Sequence, residues 1–219
     1  MKRVLGSVMT VLGVIDSSAV RHYNEDGSFD YATFSFNYDD YLMKSDGTLL
    51  ERDCFDNSFK VVSPSWCKGG IYPQICINGC YIKSYVLALT LANKDFYNYY
   101  MSDDSLVVNH TVTEFNGKLF DGKYKYRSVA RPMRSVAYNP EYLEVISRSD
   151  NIKHGKFIEK YGLYGVYVSA NDLVSLSKLV VDPDSVDTED RDIIIDYNKS
   201  IVVQYYTEKG LSINLQPAA

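Results

Sequence analysis

The stretch from Leu106 to Lys156 places the strongest constraint on the fold. It contains an apolar segment that ends in His110, a long basic segment, and a second apolar segment, YLEVIS, that ends in Ser147. Short apolar segments bounded by polar residues predict strands. Ser147 and Asp150 form an S-x-x-D capping box, so a helix is predicted to begin directly after Ser147. The predicted order is therefore strand, strand, helix.

Side chains that accept protons or bind metals lie at the ends of these elements. Asn109 and His110 end the first strand, Asn151 lies in the first helical turn, and His154 follows on the same helix face. An imidazole has an unperturbed pKa of ~6.5 and can accept a proton from water near neutral pH. Amide oxygens can serve as ligands of Mg²⁺ and Mn²⁺. Taken singly, each residue is also explained as an ordinary turn or surface residue.

The ordered set resembles the HNH endonucleases, particularly the phage homing type. The resemblance implies an α+β fold with a ββα-metal core (HNH, or His-Me finger), a β-rich N-terminal region and a small α+β C-terminal region. It implies that His110 is the general base and that Asn109 and Asn151 are metal ligands. It also implies that His154 contacts metal-bound water or the DNA backbone. The implied activity is metal-dependent hydrolysis of DNA phosphodiester bonds, by nicking or double-strand cleavage, with Mg²⁺ as the expected cofactor and Mn²⁺ as the second choice.

The resemblance extends upstream of this core. The segment YLMKSDGTLL (Tyr41 to Leu50) is similar to the short module that often precedes a phage HNH core, and Gly69 to Asn93 is similar to the family's strand, hairpin and helix. We therefore predict four segments: an N-terminal extension (1–40), a strand-rich module with a helix (41–100), the HNH-like core with a basic insertion (101–165), and an acidic α+β region (166–219).

The chain departs from the family pattern at several positions. Ser84-Tyr85 stands where the family commonly has a His-Arg pair, and Asn109 stands where many members have Asp. An amide oxygen is a weaker ligand than a carboxylate, so a lower metal affinity is expected. The proposed base and the second ligand are 41 residues apart, which is longer than usual, and we interpret Thr113 to Tyr138 as an insertion.

The insertion begins the basic part of the chain. From Lys118 to Lys160 there are ten Lys or Arg residues against five acidic residues, a net charge of +5, whereas the whole chain carries −5. Clustered basic residues interleaved with tyrosines suit contacts to phosphates and sugars, and a charged, solvated loop is the alternative. Double-stranded DNA is the predicted partner, and the predicted contacts are Lys123, Lys125, Arg127, Arg131, Arg134, Arg148 and Lys153.

Four cysteines raise the question of a zinc site or disulfides. Asn78-Gly79, between two apolar segments, predicts a two-residue type I′ hairpin in which Ile77 pairs with Cys80. Alternation along the strands then puts Cys76 and Cys80 on opposite faces. We therefore expect no zinc. Free thiols in a reducing compartment are the default, which for a phage-encoded protein is the cytoplasm of the infected bacterial host.

The first residues have the outline of a secretory signal. Lys2-Arg3 precedes the apolar segment Val4 to Ile15, but Asp16 interrupts the cleavage region, and a buried strand or helix explains the segment equally well. No other segment has the ~18 uninterrupted apolar residues that span a bilayer, so no membrane partner is expected.

The C-terminal region is predicted to be acidic and of mixed structure. From Tyr161 to Ala219 there are four basic and nine acidic residues, and such a surface should repel DNA. A second S-x-x-D box, Ser169 to Asp172, predicts a short helix. The segments IIIDY and IVVQYY on either side of Asn198-Lys199 predict a hairpin, with LSINL as a third strand. The region is expected to self-associate, pack on the core or bind a protein.

Two functions from different classes fit these observations. The first is a metal-dependent DNA endonuclease of the phage homing type. The second is a catalytically decayed HNH scaffold that acts as a DNA- or protein-binding regulator. Convergence of Asn109, His110 and Asn151 on one metal would favour the enzyme, whereas a His110 side chain turned into the core would favour the scaffold.

Overall fold

The computed structural model describes residues 6–66, 72–120, 126–187 and 189–211. The fold is α+β, as predicted. The chain divides into two compact units. Unit 1 comprises Met1–Val108 with Val136–Val145, and unit 2 comprises Asn109–Ser135 with Ile146–Ala219. The four-segment division drawn from sequence motifs stays a prediction.

Unit 1 is built around a five-stranded antiparallel sheet in which each strand pairs with the next one along the chain. The elements are helix α1 (Gly6–Ser18) and strands β1 (Val20–Tyr23), β2 (Phe29–Phe36), β3 (Asp39–Lys44), β4 (Leu49–Arg52) and β5 (Phe59–Val61).

The N-terminal helix belongs to the core of this unit. Leu12 and Ile15 of α1 are fully buried and pack in one cluster with the inner face of the sheet. Arg21 then ties α1 to the rest of the unit, because its guanidinium contacts the Asp16 carboxylate at 2.5 Å and donates to the carbonyl oxygens of Thr90 and Leu91 at 2.8 and 3.0 Å. The buried-helix interpretation of this segment is confirmed for residues 6–18.

A second sheet and two helices complete unit 1. The Asn78-Gly79 hairpin is confirmed, since both residues have positive φ (47° and 79°) and Ile77 pairs with Cys80. Cys76 is exposed while Cys80 is partly buried, as expected for opposite faces. The elements are β6 (Ser65–Trp66), β7 (Pro73–Ile77), β8 (Cys80–Lys83), α2 (Ser84–Ala92) and α3 (Phe96–Ser102).

The predicted strand–strand–helix order is present. The strands β9 (Leu106–His110) and β12 (Leu143–Ser147) form a two-stranded sheet, and between them in sequence lie the hairpin strands β10 (Thr113–Phe120) and β11 (Tyr126–Pro132). Helix α4 (Arg148–Tyr161) begins at the predicted residue, and the Ser147 Oγ accepts a hydrogen bond from the Asp150 amide at 3.0 Å. The predicted capping box is therefore confirmed.

Gly162 ends α4 in the left-handed conformation, with φ 69°. A Cβ atom at this position would lie 2.7 Å from the Ile195 side chain. Glycine is therefore favoured both by the turn and by the close packing of the C-terminal helix that carries Ile195.

The hairpin predicted for IIIDY and IVVQYY is wrong, because both segments belong to one helix, α6 (Arg191–Glu208). Asn198, Val202 and Tyr206 are its buried residues, spaced four apart, so the chain buries one helical stripe although β-branched residues favour strands. Between α4 and α6 lie 3-10 turns at Ala170–Asp172 and Pro183–Ser185 and the short helix α5 (Leu173–Leu176).

The C-terminal region is accordingly helical rather than α+β over residues 166–187 and 189–211, apart from one β-bridge between Val112 and Tyr167. The short helix predicted from the Ser169 box is confirmed, since the Ser169 side chain caps the turn that leads into α5. Most of the predicted third strand, LSINL, lies outside the described residues.

Asn198 was predicted to lie in a turn, but it is fully buried and holds α6 to the preceding loop. Its Oδ1 accepts from the Val181 amide at 2.8 Å, and its Nδ2 donates to the carbonyl oxygens of Val181 and Tyr161 at 2.8 and 3.3 Å. One amide side chain therefore satisfies three backbone groups.

We predict that Asn198→Ala lowers the free energy of unfolding by about 2 kcal/mol, because it leaves backbone polar groups without partners. Urea denaturation measures the change. The control is Asp196→Ala, at an exposed position of the same helix, which should change stability by no more than about 0.5 kcal/mol. Equal stability of the two variants would contradict the buried-anchor assignment.

Candidate functional site

Asn109 and His110 end β9 and are both buried, with 4% and 6% of their surface exposed. The segment that follows is held by backbone pairing: the Val168 amide donates to the Thr111 carbonyl at 2.8 Å, and the Gly165 amide donates to the Thr113 carbonyl at 2.8 Å. Asn109 and His110 at the end of β9 are therefore part of a buried, hydrogen-bonded layer of unit 2.

His154 connects helix α4 to that layer. It is only 2% exposed, and its Nε2 lies 2.7 Å from the Val168 carbonyl oxygen. A carbonyl can only accept, so Nε2 carries a hydrogen in this contact. Val168 is therefore hydrogen-bonded through both of its backbone groups. Its carbonyl oxygen accepts from His154 of α4, and its amide donates to the carbonyl of Thr111, which follows His110. The predicted contact of His154 with metal-bound water or the DNA backbone stays a prediction.

Asn151 lies one turn before His154 on α4 and is partly buried. Residues three apart on a helix are neighbours, so the contact made by His154 also orients the side of α4 that carries Asn151. Asn151 is in the first turns of the helix, where the positive end of the helix dipole favours a nearby anion. Asn109, His110 and Asn151 all belong to unit 2.

None of the side chains of Asn109, His110 and Asn151 offers a metal ion a negatively charged ligand atom. Asp150, the nearest carboxylate in sequence, is engaged by Ser147 at 2.7 Å and by Lys153 at 2.8 Å. These contacts, led by that of Lys153, hold the pKa of Asp150 below its usual value. Over the described ranges, no group of three or more His, Cys, Asp or Glu side chains is placed to hold a metal ion.

The predicted DNA contacts differ in their availability. Arg131 pairs with Glu114 at 2.5 Å across the β10–β11 hairpin, and Lys153 pairs with Asp150 at 2.8 Å. Arg134 and Arg148 are exposed. Lys123 and Lys125 lie outside the described residues, and for Arg127 only the backbone course in β11 is described.

A carboxylate that the sequence did not single out as functional lies at the end of the C-terminal helix. The Asp172 carboxylate accepts from the Tyr205 hydroxyl at 3.0 Å and from the Lys209 Nζ at 2.7 Å. Burial would raise the pKa of Asp172, but the hydrogen bonds from Lys209, Tyr205 and Tyr206 outweigh it and hold the pKa below its usual value. The Tyr206 hydroxyl also accepts from the Ser169 amide at 2.9 Å, and burial raises its pKa.

The Tyr205 and Lys209 spacing of four residues could have revealed this cluster, but only once the segment was known to be helical. The contacts of Asp172 with Tyr205 and Lys209 hold the end of α6 against the turn that follows Val168. Through the Ser169–Tyr206 hydrogen bond, α6 is thus linked to the residue that follows Val168.

No protein-family model, curated protein or solved structure matches this chain. In addition, no helix within the described residues combines the length and apolarity needed to cross a membrane.

We predict that Asp172→Asn destabilises the protein at pH 7 by about 2 kcal/mol, because charge-assisted hydrogen bonds are lost. The folded-state pKa is depressed, so the stabilisation is complete above the unfolded-state pKa of ~3.9 and is lost as pH falls through the folded value. Denaturation from pH 7 to pH 3 should therefore show the gap between wild type and variant narrowing at acid pH. Asp184→Asn, which removes an exposed ion pair with Arg191, is the control and should change stability little at either pH.

Proposed function

We propose that this protein is a metal-dependent DNA endonuclease of the ββα-metal type, related in mechanism to the phage homing HNH enzymes. The observation that carries the proposal is the junction of β12 and α4. The last residue of the strand, Ser147, is also the cap of the helix, and β12 pairs with the strand that ends in Asn109-His110. This is the element order that the proposed chemistry needs.

His110 is the proposed general base. In hydrolysis of a phosphodiester it would accept a proton from the attacking water, a role for which imidazole is the side chain used most often. The rigid pairing of residues 111–113 fixes the backbone next to His110, which favours a defined ring position over a mobile one.

Asn109 and Asn151 are the residues that would hold a divalent cation, most readily Mg²⁺, with Mn²⁺ as the alternative. Their amide oxygens fit a hard cation that keeps several of its waters. The set contains no carboxylate, so a DNA phosphate must supply the negative charge. When bound, such a cation stabilises the charge that develops on the leaving oxygen.

Two exposed cations, Arg134 and Arg148, are the proposed DNA contacts. Arg148 occupies the first helical position, beside the amides of the helix N-terminus. Arg134 is also exposed and precedes β12 in the sequence. Arg131 and Lys153 already have carboxylate partners, so their contribution to phosphate binding should be smaller.

The alternative is a decayed scaffold that binds DNA or protein without cutting. The burial of Asn109 and His110 favours it, because a general base must reach its water. DNA binding without cleavage under any divalent cation would establish this alternative and exclude the enzyme.

We predict that the wild-type chain cleaves double-stranded DNA in Mg²⁺, that EDTA abolishes cleavage, and that His110→Ala lowers the rate by about 10²- to 10⁴-fold. Gel analysis of plasmid and phage or host genomic DNA measures the rate. His22→Ala is the matched control, because His22 stacks on Tyr31 in unit 1 and has no place in the site.

Because His110 is buried, the variant must also be shown to fold. Thermal unfolding of His110→Ala and of the more conservative His110→Gln separates loss of the base from loss of structure. A folded His110→Gln that cleaves within a few-fold of wild type would remove His110 from the mechanism.

We predict opposite effects of two substitutions at Asn151. Asn151→Asp supplies the missing carboxylate and should lower the Mg²⁺ concentration that gives half-maximal cleavage, whereas Asn151→Ala should raise it. Ser149→Asp adds the same charge to the first turn of α4 at an exposed position and serves as the control. A shift in Ser149→Asp equal to that in Asn151→Asp would assign the effect to general electrostatics.

A further inference from the structure

Two almost fully exposed aromatic side chains lie at one end of the main sheet of unit 1. Tyr38 is in the two-residue turn between β2 and β3, and Phe55 is in the loop between β4 and β5. In an antiparallel meander these two connections fall at the same end of the sheet. The Arg52–Asp40 ion pair, at 3.4 Å, links the two hairpins there. We call Tyr38 and Phe55 the aromatic tip.

The aromatic tip contributes nothing to the core. The Tyr38 ring is fully exposed. The Tyr38 backbone has φ 72°, a conformation that favours glycine or asparagine. A large ring in a strained, exposed turn is unfavourable for folding alone. Its presence is explained by a contact outside the chain.

The surroundings of the tip are acidic. Its two cations are already paired, Arg52 with Asp40 and Lys60 with Asp53. A groove of about 220 Å³ runs between the loops and is lined by both signs of charge. Five carboxylates against two cations give this end a net charge of −3, and the carboxylates are Asp39, Asp40, Glu51, Asp53 and Asp56.

The negative charge and the exposed rings of the aromatic tip indicate what kind of surface it binds. Net negative charge disfavours nucleic acid and anionic membranes, while exposed aromatic rings suit an apolar contact. A complementary surface should therefore present an apolar side chain flanked by cations.

The chain carries such a surface on helix α4. Arg148, Ile152 and Lys156 are spaced four apart and form one exposed stripe, in which Ile152 is 53% exposed between two cations. Within the described part of the chain neither Arg148 nor Lys156 has a carboxylate partner. We call these three residues the α4 stripe.

We propose that the aromatic tip of one copy of this protein docks on the α4 stripe of a second copy. Tyr38 and Phe55 cover Ile152, an aromatic face meets the Arg148 guanidinium, and the surrounding carboxylates face Arg148 and Lys156. The contact joins two different surfaces, so it is head-to-tail. The contact is weak because its apolar area is small, and it depends on salt because its charge pairs are exposed to solvent.

Sedimentation velocity of the full chain over a wide concentration range, at low salt and at about 0.15 M ionic strength, tests the proposal. We expect concentration-dependent association that weakens with salt. Tyr38→Gly with Phe55→Ser removes the tip and also relieves the strained turn, so this variant should be at least as stable as wild type yet associate more than tenfold more weakly. Arg148→Glu with Lys156→Glu should have the same effect from the other side.

Mixing the two double variants gives the sharpest result. Each retains one intact surface, so the mixture should form one-to-one dimers although each variant alone is monomeric. The control is Tyr99→Ser with Tyr197→Ser, which removes exposed rings elsewhere and should associate like wild type. A wild-type chain that stays monomeric at low salt, or a mixture that does not reassociate, overturns the proposal. No DNA is present, so the outcome is independent of the proposed nuclease activity.

Discussion

The arrangement of unit 2 depends on the hydrogen bonds made at Val168. Its amide donates to the Thr111 carbonyl, next to His110, and its carbonyl accepts from the buried His154 of α4. A buried backbone group without a partner costs about 1–3 kcal/mol, so these bonds hold the strand end and the helix in one register. The proposed site depends on that register, because Asn109-His110 lies on one side of the link and Asn151 on the other.

Much of this local structure was predictable because its signals are short-range. The Ser147–Asp150 box and the Asn78-Gly79 turn act within a few residues, and both are found where the sequence placed them. The C-terminal helix was not predictable in this way. Its isoleucine- and valine-rich sequence favours strands, whereas packing in one apolar cluster with residues such as Ile158 and Leu163, distant in sequence, buries Val202 and Tyr206 of the helical stripe.

The candidate site illustrates the same limit. Sequence order could place His110 at a strand end and Asn151 in a first helical turn. It could not give burial, which depends on residues distant in sequence, such as Val168, whose amide donates to the Thr111 carbonyl next to His110. His154 shows the consequence. Its predicted contact with metal-bound water or the DNA backbone stays a prediction, and its hydrogen bond to the Val168 carbonyl oxygen could not be predicted from any local motif.

Helix α4 gathers these constraints on different faces. The buried His154 face orients the helix, the first turn carries Asn151, and the exposed stripe carries Arg148 and Lys156. Under the proposed function the neutral donors Asn109 and Asn151 leave the charge of a divalent cation uncompensated until a phosphate arrives. Metal and DNA would then each strengthen the binding of the other by the same factor, because linkage between two binding equilibria is reciprocal. Under that proposal, amide ligands in place of carboxylates would make metal binding depend on the substrate, because the negative charge that balances the cation would come from the DNA rather than from the protein.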